Sequence, residues 1–455
     1  MIEPTPSTRR NFIKTTAATA AAVTAANSFI ARSAHAAGDE TIKIALIGCG
    51  GRGSGATGQA LSTTQGPIKL IAMADAFEDR LKGSHDALKR EHGDKVDVKD
   101  DHKFVGFDAY QKAIDSGADL IVIATPPGFR PIHFEYAVKQ GKNIFAEKPV
   151  ATDAQGIRKF LAAVKEAKEK NLKVGIGLQR HHQANYIETV KRIQDGELGD
   201  LRLLRVYWND AGVWVRPRQP NQTEMEYQMR NWYYFVWLCG DHIVEQHIHN
   251  LDVANWVMKG HPVSAMGMGG RQVRTGIDHG EIYDHHMVEF TYADGTKVQS
   301  QCRHQGGCIN SVSEHAHGTK LMADIGGGRF FEPGENGKEV WRYKGHSANP
   351  YQVEHDDLQA AIRGNKEYNE GERGAHSTFT SILGRMATYS GQLIKWDDAI
   401  NAQVTVHPDK YAWDALPSSL PDKNGRYSIA MPGQSGEEHV WQRVNKEIIG
   451  WTKKH

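Results

Sequence analysis

Two stretches of this chain set a group that can take a proton beside groups that can hold it. The first is Glu147-Lys148-Pro149, which follows an apolar run ending at Ala146; a strand there would present the lysine beyond the carboxyl edge of its sheet. A lysine so placed can hold or deprotonate a substrate hydroxyl, although an ordinary exposed loop lysine would show the same spacing. The second is the run from Gly240 to Asp252, in which Glu245, His249 and Asp252 stand at i, i+4 and i+7, one face of a predicted helix. Carboxylates beside an imidazole orient the ring and stabilise its charged form, which suits proton transfer near neutral pH. A helix-surface ion pair would use the same residues. His242, Glu245, His247 or His249 could instead hold a metal, but His247 and His249 sit two apart and diverge on a helix, so no metal is expected.

Upstream, Gly48-Cys49-Gly50-Gly51-Arg52-Gly53 follows the first apolar run and opens a helical stretch. In a GxGxxG of this context Gly48 makes the tight turn, Gly50 lets the backbone approach a pyrophosphate, and Gly53 brings helix and strand together. The helix N-terminus, with Gly51 and Arg52, then faces the phosphates. Asp75 ends the second apolar run, about 20 residues past Gly53, where a carboxylate accepts hydrogen bonds from ribose hydroxyls. That carboxylate would repel a 2′-phosphate and Ala76-Phe77-Glu78 offers no cation, which favours NAD over NADP.

The elements that must position these groups follow from periodicity. Short apolar runs at residues 42–47, 68–74, 120–124, 143–146 and 173–177 alternate with helical stretches after Gly53, around residues 77–91, and at 133–140 and 152–170, the pattern of a doubly wound parallel sheet. This unit is expected over residues 37–177. Beyond it, residues 201–208, 287–292 and 297–302 alternate apolar and polar residues as antiparallel strands with one covered face do, and Ala293-Asp294-Gly295 is a hairpin signal. The fold class is therefore α/β: a Rossmann domain, then an α+β domain over residues 178–455 built on a large open, mostly antiparallel sheet. Residues 326–337 read as a Gly-rich loop and 378–393 as a helix.

With 55 Lys+Arg against 54 Asp+Glu, no long-range field draws the chain to polyanions, and nucleic acid is not an expected partner. Its four cysteines lack the pairing of a zinc site or redox dithiol; a bridge between Cys302 and Cys308 is conceivable in an oxidising compartment. Thr8-Arg9-Arg10-Asn11-Phe12 precedes a mildly apolar, Ala- and Thr-rich stretch ending in Ala34-His35-Ala36, a small-x-small cleavage signal. Residues 1–36 thus resemble a twin-arginine export signal, which makes the twin-arginine translocase a transient partner and the periplasm, or another exported location, the destination. The stretch falls short of the ~20 strongly apolar residues of a span, so no stable membrane insertion is expected.

Together these features resemble the Gfo/Idh/MocA family of oxidoreductases over nearly the whole mature chain. The marks are the early Gly-rich loop, Ala124-Thr125-Pro126-Pro127 after a strand, Glu147-Lys148-Pro149, and the helix bearing Glu245 and His249. The resemblance implies that Lys148 is the catalytic lysine, that a cis peptide bond precedes Pro149, and that His249 is the catalytic histidine. It adds Thr125, Pro126, His133, Glu147 and Lys148 to the dinucleotide contacts. Glu245 stands where most members carry Asp, and His247 where Gly is common.

A Lys/His pair beside a nicotinamide fits oxidation of an alcohol, with His249 as base assisted by Lys148. Arg180, Tyr186, Trp208, Trp232 and Asp252 are expected on the substrate, within a wider set of Trp214, Tyr233, Trp237, Asn209 and His181; aromatic faces beside polar groups suit a sugar or cyclitol. Export of a folded enzyme implies a tightly bound, recycled cofactor. Two further readings stand: an NAD-dependent glycoside hydrolase working by transient oxidation and elimination, and a catalytically inactive Rossmann-fold binding protein. A dimer or tetramer is expected, since open sheets pair across subunits.

Overall fold

The computed structural model describes residues 41–453; the twin-arginine segment read over residues 1–36 lies outside the described residues. β1 (Ile42–Ile47) is an almost fully buried apolar run, as a parallel strand covered on both faces must be. With β2 (Ile68–Asp75), β3 (Lys103–Val105), β4 (Leu120–Ile123), β5 (Asn143–Ala146) and β6 (Val174–Ile176) it forms a parallel sheet in the order β3-β2-β1-β4-β5-β6. Helices α1 (Gly51–Leu61), α2 (Glu78–His92), α3 (Ala109–Asp115), α4 (Arg130–Lys139) and α5 (Ala154–Glu169) make the crossovers. The chain direction switches between β1 and β4, so a crevice opens beyond their carboxyl ends, where sheets of this kind bind ligands. Apolar periodicity finds five of the six strands. It misses β3 and α3, because β3 is a three-residue edge strand, partly exposed and without an apolar run.

Helices α6 (Glu224–Arg230), α7 (His242–Glu245) and α8 (Ile248–Met258) follow the first strand of the second sheet along the chain. The second sheet takes β7 (Leu201–Asp210), β8 (Ser264–Gly270), β9 (His285–Thr291), β10 (Lys297–His304), β11 (Ser311–Gly318), β12 (Met322–Asp324), β13 (Arg329–Phe331), β14 (Glu339–Arg342) and β15 (Ile394–Lys395). Its order is β14-β13-β12-β11-β7-β10-β9-β8-β15. The sheet is mixed: β10 runs antiparallel to β9 but parallel to β7, a direction that one-faced alternation does not encode. The hairpin at residues 293–295 forms between β9 and β10, with Gly295 at φ 86° and Thr296 N–H donating to Asp294 Oδ1 at 2.9 Å. Residues 326–337, expected as a loop, contain β13, paired on both sides.

Along β10 the inward residues Val298, Ser300, Cys302 and His304 alternate with partly exposed ones. α9 (Pro350–Arg363) packs against α1, and α10 (Gly371–Ser390) lies between the two sheets, in contact with α5 and β6 on one side and β8 and β9 on the other. Phe379, Ile382 and Leu383 on α10 are fully covered, each worth about 1.5–3 kcal/mol. Cys302 sits on the covered face and Cys308 is exposed; both are free thiols, so the bridge considered from sequence does not form. Among the described residues no helix is long and apolar enough to cross a membrane.

Candidate active site

A crevice of about 700 Å³ runs from the carboxyl ends of β1, β2, β4 and β5 to a far wall carrying Trp208, Glu245 and His249. Its floor is the glycine loop. Gly48 has φ 93°, and a Cβ there would lie 2.5 Å from Thr125 N; a Cβ on Gly53 would lie 1.9 Å from Gly48 O. At Gly50 and Gly51 a Cβ would meet nothing within 4 Å. α1 has no side-chain N-cap and no acidic residue in its first turn, so its leading amides face the crevice without an intramolecular acceptor. Asp75 Oδ2 accepts from Cys49 N–H at 2.7 Å and Oδ1 from Phe77 N–H at 2.9 Å, tying the loop to the end of β2. Burial raises the Asp75 carboxyl above its usual range, partly offset by those two bonds. These residues fit a nicotinamide dinucleotide: free amides for a pyrophosphate, open space over Gly50, and a carboxylate for the ribose.

Thr125, Pro126, His133 and Glu147 also line the crevice. His133 packs against Tyr110 with ring centres 4.2 Å apart; burial, with Arg130 adding to it, lowers its pKa to about 3, so it stays neutral. Arg52 Nε pairs with Glu147 Oε1 at 2.9 Å. Arg80 and Tyr351 line the same space and were not found from sequence: Arg80 sits in the first turn of α2, and Tyr351 comes from distant α9.

The peptide bond between Lys148 and Pro149 is cis. Lys148 Nζ donates to Glu245 O at 2.6 Å and to Glu245 Oε1 at 3.0 Å, across 97 positions of sequence. The helix expected to carry Glu245, His249 and Asp252 on one face is broken: α7 ends at Glu245, Gln246 caps it, and α8 begins at Ile248. At the break the His247 N–H donates to His242 O, five residues back, at 3.2 Å, and the buried His247 ring bonds Ser300 Oγ at 2.7 Å and Asn250 Oδ1 at 3.2 Å. Glu245 and His249 both reach the crevice from the two sides of this break, and so does Gln246. His249 stacks on Trp208 with ring centres 5.9 Å apart, and its Nδ1 has no partner. Burial, reinforced by Lys148 and Arg180, holds its pKa well below the usual imidazole value, so the ring is neutral.

Upstream of the break, the carboxylate of Asp241 fixes α7. It accepts from His242 N and Nδ1, Tyr283 N and Tyr389 Oη at 2.5–2.9 Å. Asp241, His242 and His286 bring ligand atoms within 4.8 Å of one another, but those four bonds already occupy both carboxylate oxygens, so the trio serves as an anchor.

Of the substrate-side expectations, Trp208, Trp214 and Trp232 line the crevice; Arg180, Tyr186 and Asp252 do not. Arg180 is paired with buried Glu314, which also accepts from Tyr186 Oη at 3.0 Å, and Asp252 accepts from Ser377 Oγ at 2.7 Å and bonds His181 Nε2 at 2.8 Å. Trp237 is core, its Nε1 donating to Gln228 at 2.7 Å. Tyr233 is buried too, but its hydroxyl donates to Gln246 Oε1 at 2.9 Å, just behind the crevice wall.

A fold of this topology around such a crevice is that of an NAD-dependent oxidoreductase. Residues 42–176 match the family model described as an oxidoreductase family with an NAD-binding Rossmann fold, and residues 186–322 match the GFO/IDH/MocA C-terminal domain. The chain belongs to the Gfo/Idh/MocA family. Among curated relatives it is similar to the inositol 2-dehydrogenase of Rhizobium meliloti (26% identical over 258 residues, 57% of this chain and 67% of that protein). It is also similar to the scyllo-inositol 2-dehydrogenase (NAD(+)) of Bacillus subtilis (23% over 274 residues, 60% and 67%). The chain thus spans about two thirds of the length of these relatives. Among solved structures, the aldose-aldose oxidoreductase of Caulobacter crescentus superposes with a TM-score of 0.60 at 18% identity, over 78% of this chain and 100% of that one. The scyllo-inositol dehydrogenase of Lactobacillus casei with bound NAD(H) and scyllo-inositol superposes at 0.58 and 20%, over 78% and 99%.

Proposed function

We propose that the protein oxidises a ring hydroxyl of a carbohydrate or cyclitol, with Lys148 holding the substrate oxygen and His249 receiving its proton. One observation carries this reading: Lys148, Glu245 and His249, far apart in sequence, meet in the crevice that the glycine loop and Asp75 open onto. NAD, when bound there, supplies the hydride acceptor. An ammonium has three hydrogens; Lys148 gives two to Glu245, which leaves one for the substrate oxygen and fixes its direction. Neutral His249 has a lone pair to accept the hydroxyl proton as negative charge builds on the oxygen beside Lys148. Trp208, Trp214 and Trp232 offer flat apolar faces to the C–H faces of a ring. The names of the inositol dehydrogenase and aldose oxidoreductase relatives support this substrate class.

The Arg9-Arg10 leader supports export by the twin-arginine route, and with it a cofactor loaded before export and kept through turnover. Retention has structural support. Arg230 makes two 2.8 Å bonds to Asp79 and stacks 3.7 Å over Phe77, joining the second domain to the nucleotide side. Trp413, from the C-terminal segment, packs on Phe77 and Phe107 with ring centres 5.2 and 4.7 Å apart. The partly apolar outer face of the second sheet, with Met266, Met268 and Met287 exposed on β8 and β9, supports a homo-oligomer.

The test is release of dinucleotide on denaturing the purified protein, followed by turnover on free aldoses, cyclitols and glycosides with product analysis. Lys148→Ala should lower turnover about 10²–10⁴-fold with dinucleotide content unchanged. Undiminished activity in that variant refutes the assignment, and release of free aglycone from glycosides replaces net oxidation with elimination chemistry.

A further inference from the structure

At the junction of α7 and α8 the crevice takes not only Glu245 and His249 but also Gln246, the residue that follows Glu245. In a continuous helix Gln246 would point about 100° away from Glu245; here it caps α7 and lines the crevice. Its amide is held from behind. Tyr233 is buried, and its hydroxyl donates to Gln246 Oε1 at 2.9 Å. The opposite amide orientation would leave a buried phenolic hydrogen without an acceptor, which decides the assignment. With Oε1 spent on Tyr233, what Gln246 offers the crevice is the NH2 end, a pair of donors next in the chain to the residue that grips Lys148.

We propose that Gln246 is a specificity-determining residue that donates to a second substrate oxygen, adjacent to the one being oxidised, so that the enzyme selects vicinal diols over isolated alcohols. This rests on the reading of Lys148 and His249 given above. Fixed donors recognise oxygens that can accept, namely hydroxyl or carbonyl, and the same contact serves the diol and the hydroxyketone formed from it. A substrate lacking that oxygen leaves the amide hydrogens and their Tyr233 support unused in a partly desolvated site, and sites of this type reject deoxy analogues.

The experiment compares wild type, Gln246→Leu, Gln246→Glu and Tyr233→Phe as cofactor-loaded full-length enzymes on glucose, scyllo-inositol, and the 2-, 3- and 4-deoxyglucoses. Wild type should lose about tenfold or more in kcat/KM on at least one deoxyglucose, beyond the analogue lacking the reacting hydroxyl itself. Gln246→Leu should lose a similar factor on glucose and scyllo-inositol yet show no further loss on that deoxy sugar, with dinucleotide content unchanged. Gln246→Glu keeps the volume, removes the donors and should behave as Gln246→Leu does; Tyr233→Phe should show a smaller loss in the same direction. Wild-type behaviour of Gln246→Glu, or an additive loss on the deoxy sugar in Gln246→Leu, overturns the role of Gln246 while leaving Lys148 and His249 in place. Absence of wild-type turnover on every sugar and cyclitol overturns the functional reading and this inference with it.

Discussion

Replacing Gly50 with alanine separates the cost of folding the glycine loop from the cost of holding a dinucleotide on it. Gly50 has φ −76° and ψ −178°, extended backbone that any residue adopts, and a Cβ there meets nothing within 4 Å. The fold should tolerate the change and gain about 0.4–1 kcal/mol from the stiffer unfolded chain. The added methyl, however, stands in the open space at the head of α1 through which a pyrophosphate must approach. Affinity for NAD should fall about ten- to a hundredfold, or about 1.4–2.7 kcal/mol. Gly53→Ala is the contrasting control. Its Cβ would sit 1.9 Å from Gly48 O, so α1 or the loop must shift by about 1 Å, and both stability, by about 1–3 kcal/mol, and NAD affinity should fall together. Urea unfolding and calorimetric titration of stripped protein with NAD measure the two quantities independently. A Gly50→Ala protein that binds NAD as wild type does would show that the pyrophosphate does not lie on this loop.

Burial pushes the Glu281 carboxyl up to about 7, against the N–H of Val236 and Trp441 Nε1, which favour its charge. The folded protein therefore holds more protons than the unfolded chain between about pH 4.5 and pH 7, and stability should fall as pH rises through that window, by on the order of 3 kcal/mol. Glu281→Gln should flatten the slope, seen as urea midpoints from about pH 5 to about pH 8. Arg230→Ala removes the bidentate link to Asp79 and should speed dinucleotide loss on gel filtration while leaving kcat of the loaded enzyme within about twofold; unchanged retention would count against a role for this link in holding the dinucleotide. Trp208→Ala should raise KM more than it lowers kcat if the indole serves as a ring platform, and steady-state kinetics on glucose and scyllo-inositol separate the two.

What could be read from the sequence was local. The glycine loop and Asp75 follow apolar runs whose period is set by a few neighbouring residues, and their spacing fixes their geometry. Lys148, Glu245 and His249 were each legible as groups able to do chemistry, but the Lys148 to Glu245 contact was not, because it depends on packing two distant segments. Helical spacing also misled: i, i+4, i+7 holds for Glu245, His249 and Asp252, yet the helix is interrupted at Gln246 and His247, and Asp252 turns away from the crevice to Ser377 and His181. Arg180 and Tyr186 were read towards the substrate because their shared acceptor, Glu314, lies far along the chain on β11. Gln246 carried no signal at all, since its place in the crevice depends on how this segment packs against the rest of the chain.

Trp413 has a bearing on when the protein can first hold its nucleotide. The Rossmann unit is complete early in translation and can fold as the nascent chain emerges. The indole that packs on Phe77 and Phe107 is translated about 300 residues after them. A nucleotide captured by the early half alone would sit in a vestibule with one side missing, a side that closes only once the later segment folds onto Phe77 and Phe107.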